Sequence, residues 1–104
     1  MIRVYHNVRF LDRPSWQWSC QAFPMPVDLY EVAEVATNNL EEAYHLTQNI
    51  DQPWIINDGV GAKAKDDGSY RHRSTSCGDI MMREDGSAYI VSSCGFQRVP
   101  YLDG

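Results

Sequence analysis

Within this 104-residue chain, one stretch repeats its apolar residues with a clear helical period, and it covers only residues 39–50. At about 100° per residue, Leu40, Ala43, Tyr44, Leu46, Thr47 and Ile50 fall on one arc; Glu41, Glu42, His45, Gln48 and Asn49 fall on the other. Asn39 stands at the N-cap with Glu42 three residues on, the capping-box spacing, and Pro53 follows the far end. A single short helix cannot bury a core against itself. The other apolar residues, from a set that makes up 43% of the chain, must be gathered largely by strands.

Alternation supplies the first of these. Ile2, Val4, His6, Val8 and Phe10 alternate with Arg3, Tyr5, Asn7 and Arg9, which predicts a strand over 2–10. Residues 29–36 are less regular. Glu31 and Glu34 sit three apart and break a period of two, a spacing that also fits a short helix begun by Asp28. Val32, Val35 and the interruption by Thr37-Asn38-Asn39 favour a strand. Ile80-Met81-Met82-Arg83 and Ala88-Tyr89-Ile90-Val91 flank Asp85-Gly86, a strong hairpin signal, predicting strands over 79–84 and 88–94. A last strand over 96–99 precedes Pro100. Three prolines make 11–28 an extended, irregular crossing, and 51–76, with Gly59, Gly61 and Gly68, reads as a long loop. The expected fold is one small α+β domain, residues 1–104: an antiparallel sheet of four to five strands covered on one side by the helix.

Charge narrows the function classes. The net charge of −5 does not suit a protein that lives on phosphate contacts. It is also segregated: residues 28–58 carry seven acids and no Lys or Arg, whereas 1–27 and 63–73 are each net +2. Single-sign surfaces steer partners, although charge runs are more often simply solvated. No apolar run is long enough to cross a bilayer and the first residues lack an apolar signal core, so a cytoplasmic protein without a membrane partner is expected.

Catalytic constellations are weak. Cys20, Cys77 and Cys94 show no zinc-type spacing with each other or with His6, His45 and His72, so neither metal nor cofactor is expected. A two-residue turn at Asp85-Gly86 would set Cys77 opposite Cys94; a three-residue turn with a bulge would separate them. The count is odd and cytosolic disulfides are rare, so two small apolar residues at strand ends is the preferred reading. A nucleophile built from Cys77, His72 or His6, and Asp79 has no local signature, and the carboxylate pairs Glu41/Glu42, Asp66/Asp67 and Glu84/Asp85 are adjacent solvent-facing or turn residues. Gly59-Val60-Gly61 lacks the strand and helix of a phosphate-binding loop. The chain is read as no enzyme.

Two surfaces remain. Trp16 and Trp18 lie two apart in an extended segment and either cap the core or present an aromatic contact. Lys63, Lys65, Arg71 and Arg73, with Tyr70 between, are the ingredients of a nucleic-acid contact, weakened by Asp66 and Asp67. Trp54, after Pro53, is expected to close one end of the core.

The run from Asn39 through Trp54, together with Arg73-Ser74-Thr75-Ser76-Cys77-Gly78-Asp79-Ile80, the hairpin and Cys94-Gly95-Phe96, resembles a group of small, mostly uncharacterised proteins of actinobacterial, especially mycobacterial, bacteriophages. About half of the chain carries that resemblance. In that group position 77 is more usually aliphatic, which implies a packing role for Cys77, and residues 29–36 are implied to be a strand. No catalytic residue carries over. The hydroxyls of Ser74, Thr75 and Ser76 and the bend at Gly78-Asp79 read as a strand entry, with an anion held by Arg73 as the alternative. The expected function is that of a non-enzymatic phage protein that binds a host bacterial protein in the host cytoplasm, for takeover or counter-defence. Its contact residues are Trp16, Trp18, Glu31, Glu34, Glu41 and His45, with a homodimer as a further possibility. A nucleic-acid module on the basic loop is the alternative.

Overall fold

The computed structural model describes residues 1–50, 52–62 and 73–104. Six strands form one antiparallel sheet: β1 (Ile2–Asn7), β2 (Leu29–Val35), β3 (Val60–Ala62), β4 (Ile80–Met82), β5 (Ala88–Ser92) and β6 (Gly95–Arg98), in the order β3-β2-β1-β4-β5-β6. The α+β class stands; the strand number does not. The strand absent from the sequence expectation is β3, which lies inside the expected loop and pairs with β2 through Ala33↔Ala62, Glu34↔Gly61 and Val35↔Val60. Its central Gly61, with Gly59 just before it, conceals strand propensity. What places it is the unpaired edge of β2.

The pairing of β1 with β2 explains the broken alternation. Val4 faces Ala33 and Tyr5 faces Glu31, so Val32 is an extra residue at a β-bulge. Val32 and Ala33 both enter the same core, and Glu31 and Glu34, though three apart, share the opposite face with Tyr5 and Arg3. The β4–β5 register (Ile80↔Ile90, Met82↔Ala88) follows a three-residue turn with Gly86 at φ +87°. Cys77 and Cys94 are accordingly not opposed. Cys94 lies in the two-residue turn between β5 and β6, where Ser92 pairs with Gly95, so β5 ends before it. All three cysteines are free.

Both faces of the sheet are covered. On one, Ile2, Val4, Val32, Val35, Met81 and Val91 pack with Ala43 of the helix α1 (Leu40–Leu46) and with Trp54, which is fully buried as expected. Asn39 caps α1, its side chain accepting from the Glu42 backbone N–H at 3.1 Å. The helix stops four residues short of its expected end because the Thr47 hydroxyl turns back to the carbonyls of Ala43 and Tyr44. Ile50, expected on the buried arc, is 61% exposed.

The other face carries Ile80, Ala88 and Ile90, packed with Trp18 and, from the C-terminal segment, Val99 and Leu102. Trp18 and Phe23 reach this core from residues 8–28, here called the strap, which leaves β1 and returns to β2. The Val8 N–H donates to the Asp28 carbonyl at 2.9 Å, so the ends of the strap are pinned together. The expected strand over 2–10 stops at Asn7, where the chain turns into this layer. The structure thus has a covering layer on each side of the sheet rather than on one. No helix among the described residues is long and apolar enough to cross a membrane.

Candidate functional site

Two places concentrate polar chemistry: a buried clamp on the helix face and a cleft against the strap. The clamp gives the run from Arg73 to Asp79 its physical sense. Asp79, fully buried, accepts from both terminal nitrogens of Arg73 at 2.6 and 2.7 Å, from the Asn7 backbone N–H at 2.9 Å and from the Ser76 N–H at 2.8 Å. The guanidinium also donates to the Asn7 and Ser74 carbonyls and lies 3.7 Å over the Phe10 ring. Ser74 accepts from the Asn49 N–H, and the Trp54 indole donates to the Arg73 carbonyl at 2.9 Å. Gly78 adopts φ +96°, and a Cβ there would stand 2.9 Å from the Trp18 ring. Of the two readings of this motif, the anion that Arg73 holds is therefore the chain's own Asp79. Neither ion would tolerate burial without the other and its hydrogen bonds.

His6 belongs to the same cluster. It is fully buried, with Nε2 3.0 Å from the Thr75 hydroxyl and 3.8 Å from Asp79. Burial lowers its pKa from 6.5 to about 4, opposed by Asp79 and reinforced by Arg73. A Ser/Thr–His–Asp relay uses one ring nitrogen for the hydroxyl and the other for the acid. Here one nitrogen faces both, and Nδ1 has no hydrogen-bond partner among the described residues. Thr75 is 1% exposed. Burial pushes the Cys77 thiol up, the wrong direction for a nucleophile. His72, the other histidine offered for such a nucleophile, lies outside the described residues, and the contacts of His6 and Asp79 tie β1 to the run from Arg73 to Asp79. No group of three His, Cys, Asp or Glu among the described residues is placed to hold a metal.

The strap differs in character. Val8, Leu11, Trp16, Met25 and Val27 are each more than half exposed, five of the eight large apolar side chains so displayed among the described residues. Against it lies a cleft of about 370 Å³ whose lining includes Arg9, Asp12, Arg13, Trp18, Phe23 and Asp28. Arg9 bridges Asp12 and Asp28, each at 3.3 Å. Arg13 stands 5.5 Å over the Trp18 ring.

The six expected contact residues are not brought together. Trp16 is 68% exposed on the strap, but Trp18 is 4% exposed, its indole donating to the Phe10 carbonyl, and is core rather than surface. Glu31 and Glu34 face away from α1, on the strap's side of the sheet, whereas Glu41 and His45 lie on the exposed side of α1. The bulge is the reason: it turns the two β2 acids to the face that the helix does not cover. The acidic run 28–58 therefore spreads over both sides of the molecule. Of the basic residues, Lys63, Lys65 and Arg71 lie outside the described residues, and Arg73 is committed to Asp79. Sequence reasoning singled out Trp16 but missed Leu11, Met25 and Val27, because an irregular segment shows no period from which to infer which side chains face out.

Neither a protein-family model nor a curated protein nor a solved structure matches the chain.

Proposed function

We propose that this chain is a non-catalytic interaction protein of a bacteriophage, and that it binds a host bacterial protein in the host cytoplasm through the strap. The observation that carries this reading is the display of Leu11, Trp16, Met25 and Val27 on one connection. Exposed large apolar side chains gathered in this way mark contact surfaces, and Trp is the residue type most often found to dominate binding energy. Trp18 and Phe23 anchor the strap to the sheet, so the displayed residues are held by a rigid base. The resemblance to actinobacterial phage proteins supports a bacterial partner, and unpaired cysteines, two of them exposed, suit a reducing compartment.

The test compares the tagged chain with a Leu11→Ser/Trp16→Ser/Val27→Ser variant in capture from a host lysate, with circular dichroism to verify that both fold. The expected result is one stoichiometric protein recovered by the wild type and lost from the variant. Equal recovery by both, or no stoichiometric partner, overturns the reading. A wild type that sediments as a dimer, while the variant is monomeric, replaces the host partner with a second copy of the chain.

A further inference from the structure

The outer strand β6 carries hydrogen-bonding groups that the fold leaves unused. Of the two edges of the sheet it is the longer, four residues against three in β3. Ser92 and Gly95 close a two-residue turn as a hydrogen-bonded pair, and bonding alternates from there. Gly95 and Gln97 turn their main-chain groups to β5, and Val99 continues the pattern by donating to the Ala88 carbonyl at 2.9 Å. Phe96 and Arg98 turn theirs outward. Neither main chain meets a hydrogen-bond partner among the described residues. Proteins that stay apart guard such an edge with lysine, proline or a bulge. Here Gly95, Phe96 and Gln97 carry no charge, and the charge of Arg98 is paired with Asp103.

Charge indicates what meets this edge. Residues 14–27 hold no charged side chain and 86–102 hold only Arg98, in a chain of net charge −5. The fold brings the two stretches together at β6, where the Cys20 N–H donates to the Gln97 side chain at 2.8 Å. Two acidic copies repel over most of their surface and approach best where neither carries an acid. The edge is also complementary to itself. With Gln97 opposite Gln97 of an antiparallel second copy, Phe96 of each chain faces Arg98 of the other. The outward N–H and C=O groups of both residues in both copies are then all satisfied, in four interchain hydrogen bonds. A register centred on Phe96 would instead set Arg98 against Cys94, which lies in the turn. On the helix face the Phe96 ring, packed edge-on against Tyr44, then stands beside the opposing Arg98 guanidinium.

We infer that β6 pairs with β6 of a second copy about a two-fold axis at Gln97, joining two six-stranded sheets into one. The inference goes beyond the proposed host contact and does not depend on it.

Sedimentation equilibrium over a range of concentrations tests the pairing. The expected result is a monomer–dimer equilibrium with Kd on the order of 10 µM, weak because the paired strands are short. Salt tightens the dimer, since both copies are acidic. Gln97→Glu keeps an acceptor for the Cys20 N–H but sets two carboxylates face to face on the axis, and it raises Kd about tenfold at low salt. Circular dichroism verifies that this variant folds. In a Cys20→Ser/Cys94→Ser background, Gln97→Cys forms an interchain disulfide under mild oxidation, because opposed residues outside a hydrogen-bonded pair approach most closely. Arg98→Cys, which lies opposite Phe96, does not. A wild type that stays monomeric at the highest concentration overturns the inference. So does a dimer that Gln97→Glu leaves intact, or cross-linking that is as good through Arg98→Cys as through Gln97→Cys. A dimer abolished in the Leu11/Trp16/Val27 variant overturns the edge pairing and assigns the contact to the strap.

Discussion

His6 sits out of water between Tyr30 and Trp54, with ring centroids 6.2 Å from each. Its neutral form suits that place: burial lowers its pKa to about 4, against 6.5 for a histidine in water, as in the unfolded chain. Between those values the unfolded chain holds the proton and the folded chain does not, so stability falls as pH drops through this window. The loss is on the order of 3 kcal/mol. Urea unfolding at about pH 7, 5.5 and 4.5 checks this. The expected outcome is a steep decline in the wild type and a shallower one in His6→Gln. Identical slopes would place the acid sensitivity elsewhere. In sequence, His6 is simply one member of an alternating strand. Its environment comes from Thr75, Asp79 and Trp54, all far along the chain, and no local pattern announces that meeting.

Local signals explain which elements were legible. The helix was, because Asn39 and Glu42 carry their partner within three residues; its end was not, because it depends on how the Thr47 hydroxyl turns. Asn39→Ala removes the acceptor for the Glu42 N–H and is expected to cost about 1 kcal/mol, read as a lower urea midpoint with unchanged m-value. A variant as stable as the wild type would mean that water satisfies that donor equally well. The hairpin was legible from Asp85-Gly86, yet its register turned on whether the loop held two or three residues, and that choice separated Cys77 from Cys94. The bulge at Val32 left a visible trace, the three-residue gap between Glu31 and Glu34. The edge strand β3 left none, since three residues with a central glycine gain strand geometry only from the neighbour they pair with.

At the scale of the whole molecule, the sheet lies between two unequal layers, with β1 and β4 at its centre. Amides of strands flanked by partners on both sides open only with global unfolding, whereas those of edge strands open locally. Native-state hydrogen exchange is therefore expected to be slowest on β1 and β4 and fastest on β3; slowest exchange in the helix would locate the stable unit elsewhere. The candidate site was least legible at this scale, because which face the strap covers is settled by where Trp18 and Phe23 find a core. The pinned ends of the strap have an evolutionary consequence. Because Val8 and Asp28 meet at a single backbone hydrogen bond, the span between them behaves as a cassette. Mutation can rewrite Leu11, Trp16, Met25 and Val27 with little effect on stability while Trp18 and Phe23 keep the cassette seated. A lineage built on this scaffold can change the face its strap presents without redesigning its sheet.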